Sequence, residues 1–173
     1  MPKHMTMTST IFALLLAAVP ALAEKPTIQV NPFPDAGLVA PTAALCGFDI
    51  LAVPQAGRPN KGKLILFANG ETGVASGATF LTLTNLNTGK SANVNIGGPA
   101  RLDFTETDKT TLVLLGHGIV AFPPAPLSVT SAAGLPAVPL LYGNATFEID
   151  PQGNILSIRD VHGTAQDVCA LLQ

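Results

Sequence analysis

The stretch from Thr79 to Ile96 reads TFLTLTNLNTGKSANVNI. Leu81 and Leu83 alternate with Thr82 and Thr84, and Ala92, Val94 and Ile96 then alternate with Asn93 and Asn95. A period of two is the pattern of strands with one buried and one wet face. Between the two runs, Asn87-Thr88-Gly89-Lys90 has the composition of a Gly-containing hairpin loop. The stretch therefore predicts an antiparallel β-hairpin.

The same period continues on both sides. Leu102 and Phe104 alternate with Arg101, Asp103 and Thr105, and Phe147 and Ile149 alternate with Thr146 and Glu148. Glu106-Thr107-Asp108-Lys109 reads as a polar turn, and Asp150-Pro151-Gln152-Gly153-Asn154 as a type I turn with Gly in the left-handed position. Strands are predicted at 46–53, 62–68, 78–86, 90–97, 100–106, 110–116, 143–149 and 154–161. Segment 117–122 extends the sixth of these or forms a short strand of its own. Tight turns imply antiparallel neighbours, because a parallel crossover needs a dozen or more residues. The reading is an all-β antiparallel meander of about eight strands, with a short helical turn over 165–172. Residues 122–142 carry Pro123, Pro124, Pro126, Pro136 and Pro139 and read as a long irregular loop.

The N-terminus has the parts of an export signal. Lys3 is its positive charge, Ile11 to Val19 its short apolar core, and Ala21-Leu22-Ala23 its cleavage site. Residues 1–23 are read as a signal peptide, cleaved between Ala23 and Glu24. Residues 24–44 are read as a Pro-rich extended leader and 45–173 as a single β domain. The expected location is extracellular or periplasmic, with no membrane span in the mature chain. Lys3 leaves with the signal, so the mature formal charge is 8 − 11 = −3. Only 12% of the chain is charged, against about 25% in ordinary domains. No basic surplus is present to hold nucleic acid or an anionic membrane.

Two cysteines remain after cleavage, Cys46 and Cys169. In an oxidising compartment an even count points to a disulfide, and two cysteines allow one intramolecular pairing. Such a bond would bring the first and last strands together, favouring a closed or nearly closed barrel. A two-sheet sandwich stapled at one end is the alternative.

The ends also carry a resemblance. Cys46-Gly47-Phe48, Thr84-Asn85-Leu86-Asn87-Thr88-Gly89-Lys90, the turn at Asp150–Asn154 and Asp167-Val168-Cys169 resemble a group of small secreted bacterial β-proteins. Those share a Cys-Gly-Phe start and an Asp-Val-Cys end. The resemblance implies secretion, β structure and the cysteine pair, and it carries over no catalytic residue.

Chemistry-bearing motifs are sparse. His117 and His162 would need to converge with a carboxylate such as Asp160 to bind metal. Ser76 lies in a turn rather than a nucleophile elbow. Asp103, Glu106 and Asp108 fall on a wet strand face and its turn. Gly70, Gly73, Gly77, Gly97 and Gly98 precede no phosphate-binding helix. Asn144-Ala145-Thr146 matches a glycosylation sequon. The chain has no Trp and one Tyr, so it lacks the aromatic platforms of sugar and single-strand binders and the girdles of outer-membrane barrels. No catalytic, cofactor or metal site is assigned. The expected function is a non-catalytic binding or envelope-associated module of unknown ligand. The alternatives are a carrier of a small apolar ligand and a hydrolase with an unrecognised site.

Overall fold

The computed structural model describes residues 26–30, 33–67, 70–119 and 124–173. The expected cleavage site at Ala23 and Glu24 lies outside them. The described residues form two antiparallel sheets. One has four strands: β2 (Leu38–Ala40), β3 (Ile50–Pro54), β6 (Phe80–Asn85) and β7 (Ser91–Asn95) in that order. The other has seven, in the order β1 (Thr27–Val30), β4 (Lys63–Leu66), β5 (Thr72–Ser76), β8 (Ala100–Asp103), β9 (Thr110–Ile119), β10 (Pro139–Ile149) and β11 (Ile155–Asp167). Among the described residues three short helices complete the fold: α1 (Ala43–Cys46), α2 (Leu127–Ala132) and α3 (Val168–Leu172).

The eight predicted strands all overlap observed ones, and every pairing is antiparallel. The closed barrel is not found, and the two sheets match the sandwich alternative. The disulfide forms, with Cys46 and Cys169 Cα atoms 5.1 Å apart. It does not join first and last strands. Cys46 ends α1 ahead of β3, and Cys169 lies in α3 beyond β11. The bond therefore needs only two helices to meet, and it staples one end of the sandwich. β3 stays in the smaller sheet while β11 stands at the edge of the larger one.

Three strands escape the periodicity. β1 and β2 lie in the stretch read as a leader, and each occupies an edge, where flanking prolines leave no gap in an interior ladder. β5 reads Thr-Gly-Val-Ala-Ser, and its core-side residues Gly73 and Ala75 are too small to register as an apolar period. The 122–142 loop also holds more order than its prolines suggest. α2 follows Pro126, and β10 begins at Pro139. Segment 117–122 continues β9 as far as Ile119.

Alternation assigns the faces, except that Thr146, read as wet, is buried. The row Leu66, Gly73, Leu102, Leu112, Phe147 and Ile158 crosses six strands on the inner face of the larger sheet. The neighbouring row Leu64, Ala75, Ala100, Leu114 and Ala145 runs parallel to it. Phe147, Ile149, Ala100, Leu114 and Ile158 build one core, against which Val129 and Ala133 pack from the α2 side. A second core joins Ile50, Ala52, Leu81, Leu83 and Val94 of the smaller sheet to Leu140, Val168 and Leu172. Each fully buried Leu or Ile contributes about 1.5–3 kcal/mol relative to exposure. β10 serves both cores, because Leu140 and Leu141 point to opposite faces.

Candidate functional site

The outer face of the seven-stranded sheet collects most of the chemistry. One row runs across all seven strands: Ile28, Ile65, Val74, Arg101, Val113, Thr146 and Arg159. A second row runs Thr72, Asp103, Thr111, Glu148 and Ser157. Residues in register point to the same side of a sheet. The face is thus apolar towards β1 and β4 and charged towards β9 to β11. At the apolar end Ile28 is 58% exposed, Val30 65% and Phe67 42%.

Glu148 is the hub of the charged end, and it was not among the sequence candidates. Its Oε1 lies 3.1 Å from Lys109 Nζ and 3.5 Å from Arg159 Nη2. Ser157 Oγ donates to its Oε2 at 2.9 Å. Lys109 also reaches Glu106 at 3.4 Å. The Ser157 hydroxyl and the Lys109 ammonium hold the Glu148 carboxyl below its usual range. Hydrogen bonds to Glu148 and Glu106 raise Lys109 in turn. The signal that could have found Glu148 is its place between Phe147 and Ile149, the wet position of a strand flanked by cationic neighbours. The cross-strand identity of those neighbours requires the register.

Two other carboxylates are also lowered. Asp103 accepts from the Thr105 backbone N–H at 3.0 Å and from its hydroxyl at 2.7 Å. Burial pushes Asp150 up, but bonds from the Asn154 side chain and the backbone of the turn outweigh it. A general acid near neutral pH needs a raised carboxyl pKa. These three are held in the opposite direction by structural partners.

The histidines stand apart. His117 faces Tyr142 across β9 and β10, ring edge to face with centroids 5.0 Å apart. Its Nδ1 is buried without a hydrogen-bond partner. His162 pairs with Asn144 on the far side of β10. Asp160 meets Arg159 at 3.5 Å instead of a histidine. Among the described residues no group of three or more His, Cys, Asp and Glu could hold a metal ion. Ser76 ends β5, with Lys63 opposite it on β4. Glu106 serves Lys109, and Asp108 lies in the turn ahead of β9. Asn144 is exposed on β10, while Thr146 of the same sequon is buried.

Fold and site together define a disulfide-stapled pair of antiparallel β-sheets, the larger of which offers an amphipathic outer face. Comparison with protein-family profiles, with curated proteins and with solved structures found no match.

Proposed function

We propose that the chain is an exported, non-catalytic binding or envelope-associated module. The observation that carries this reading is the outer face of the seven-stranded sheet. Exposed Ile28, Val30 and Phe67 lie at one end, and the ion-paired Glu148 group lies at the other. Apolar surface on a solvent-facing sheet is costly to keep unless something covers it. Export is supported by the N-terminal segment and by the resemblance to secreted bacterial β-proteins. The disulfide is compatible with it, and no helix among the described residues is long and apolar enough to cross a membrane.

The test is a thermal-shift and co-sedimentation screen of the oxidised mature protein. The probes are purified peptidoglycan, phosphatidylglycerol vesicles, soluble saccharides and divalent metals. Binding only the native state raises Tm. One probe class should raise Tm and sediment the protein, and Ile28→Asp with Phe67→Asp should abolish both effects. Hydrolysis of a model ester or glycoside, lost in Glu148→Gln, would replace this reading with the enzymatic one.

A further inference from the structure

The apolar end of the outer face also carries cations. Val30 stands opposite Lys63, and Ile28 opposite Ile65. From Ile65 the row continues to Val74 and Arg101. No register shift interrupts these pairings. Ile28, Val30, Lys63, Ile65, Val74 and Arg101 therefore project from one side of the sheet. Leu64 and Ala100, one position away on their strands, point inward and are buried. Phe67 extends the outer set: its N–H donates to the Thr72 carbonyl at 3.0 Å, one step beyond the Leu66–Gly73 pair.

Lys63 and Arg101 are exposed, and neither enters an ion pair among the described residues. The pairs made by Lys109 and Arg159 lie at the far end of the face. The chain leading into β4 adds exposed Arg58 and Lys61, with Arg58 resting over the Phe80 ring at 4.9 Å. Against them stand Asp103, on the same face and bonded by Thr105, and Glu71 in the β4–β5 turn. Four cations thus meet two carboxylates, a formal +2 at one end of a mature chain that sums to −3. The whole-chain charge conceals this separation.

We infer that this end of the face is a contact for an anionic lipid bilayer, an assignment that rests on reading the outer face as a binding surface. The interleaving of charge and apolar surface selects the occupant. Exposed Val30 adjoins Lys63, and Val74 adjoins Arg101. A hydrated polyanion would satisfy the cations and leave Ile28, Val30 and Phe67 in water. The interfacial zone of an anionic bilayer takes both. Its phosphates meet the ammonium and guanidinium groups, and its acyl boundary receives the apolar side chains. Lys63 and Arg101 can lay their carbon stems along the apolar surface while their charges reach phosphate. A sugar polymer finds no Trp to stack on, and the sole Tyr, Tyr142, lies on β10 away from this end.

Co-sedimentation of the oxidised mature protein with unilamellar vesicles tests it. Equimolar phosphatidylglycerol and phosphatidylcholine should bind the protein, and phosphatidylcholine alone should bind it far more weakly. Raising salt from about 0.1 M to about 1 M shortens the screening length from about 10 Å to about 3 Å and should release it. Lys63→Gln and Arg101→Gln should each weaken binding about fivefold, and together about 25-fold. Lys63→Arg should bind as the parent does, and so should Lys90→Gln, which alters a cation of the β6–β7 turn. Ile28→Ser with Val30→Ser should weaken binding about tenfold without changing charge. Circular dichroism checks that each variant is folded. Equal binding to both vesicle types, or binding indifferent to Lys63→Gln with Arg101→Gln, would overturn the inference. So would capture of polyphosphate undiminished by Ile28→Ser with Val30→Ser, which would make this end a polyanion site. Binding of peptidoglycan but of no vesicle, lost in Ile28→Asp with Phe67→Asp, would overturn the lipid assignment and leave the binding module standing. Binding of no probe would remove both.

Discussion

Glu148 shows how one carboxylate links the face to acid stability. Its folded pKa is lowered, so its stabilising effect is present above the unfolded carboxylate range and is lost as pH falls through the folded value. The window is acidic, below about pH 4 to 5. Lys109 works in the other direction: its raised pKa contributes below the ordinary lysine range and is lost in strong alkali. Glu148→Gln should cost about 1 kcal/mol or less at neutral pH. The gap to the unsubstituted protein should shrink as urea midpoints are followed into acid. A gap that widens in acid would contradict the assignment. Gly143 makes a sharper demand. Its φ is 144°, and it is paired with Gly163 at 119°. A Cβ on Gly143 would collide with the His162 carbonyl oxygen, a backbone atom with nowhere to go. Gly143→Ala should cost about 2–4 kcal/mol in urea denaturation. Gly89→Ala is the comparator, since its φ is 77° but open space surrounds it; about 1 kcal/mol is expected there. Equal losses at the two sites would remove the argument from backbone collision.

At the scale of elements, legibility followed side-chain size and partner count. β6 and β7 were plain in the sequence because Leu81, Leu83 and Val94 are large and enter one core. The turns were plain as well. Asn85 accepts from the Asn87 and Thr88 N–H groups in one hairpin, and Asp150 from Asn154 in another. α2 was not legible. Its Leu-Ser-Val-Thr-Ser-Ala has weak helix propensity, and packing of Val129 and Ala133 supports it. β1 was illegible for the converse reason, since all four of its residues are exposed and no core enforces their alternation. A strand that buries nothing adds little. Deleting residues 24–30 should lower stability by less than about 1 kcal/mol and leave the remaining strand signals in amide exchange unchanged. Global unfolding of that truncation would show that β1 is integral to the sandwich.

For the whole molecule, the disulfide sets how the ends are held. Its cysteines are 123 residues apart, so the chain-entropy estimate is about 4 to 5 kcal/mol, with native strain subtracting from it. Cys46→Ser with Cys169→Ser should lower stability by about 3 kcal/mol or more and speed exchange at α3, while Val168 and Leu172 keep the helix docked at low denaturant. An unchanged Tm on reduction would show that packing alone closes this end. The β class, the antiparallel turns, the wet and dry faces and the cysteine pair were determined by the sequence alone. Each rests on local periodicity or on a pairing with one solution. The division into two sheets, the double duty of β10, the helix over the inner face and the convergence of Lys109, Ser157 and Arg159 on Glu148 were decided only by the tertiary structure. Alternation specifies that a face is buried but not what buries it. The partners of Glu148 come from β11 and from the turn before β9, so only the register of the folded sheet brings them together.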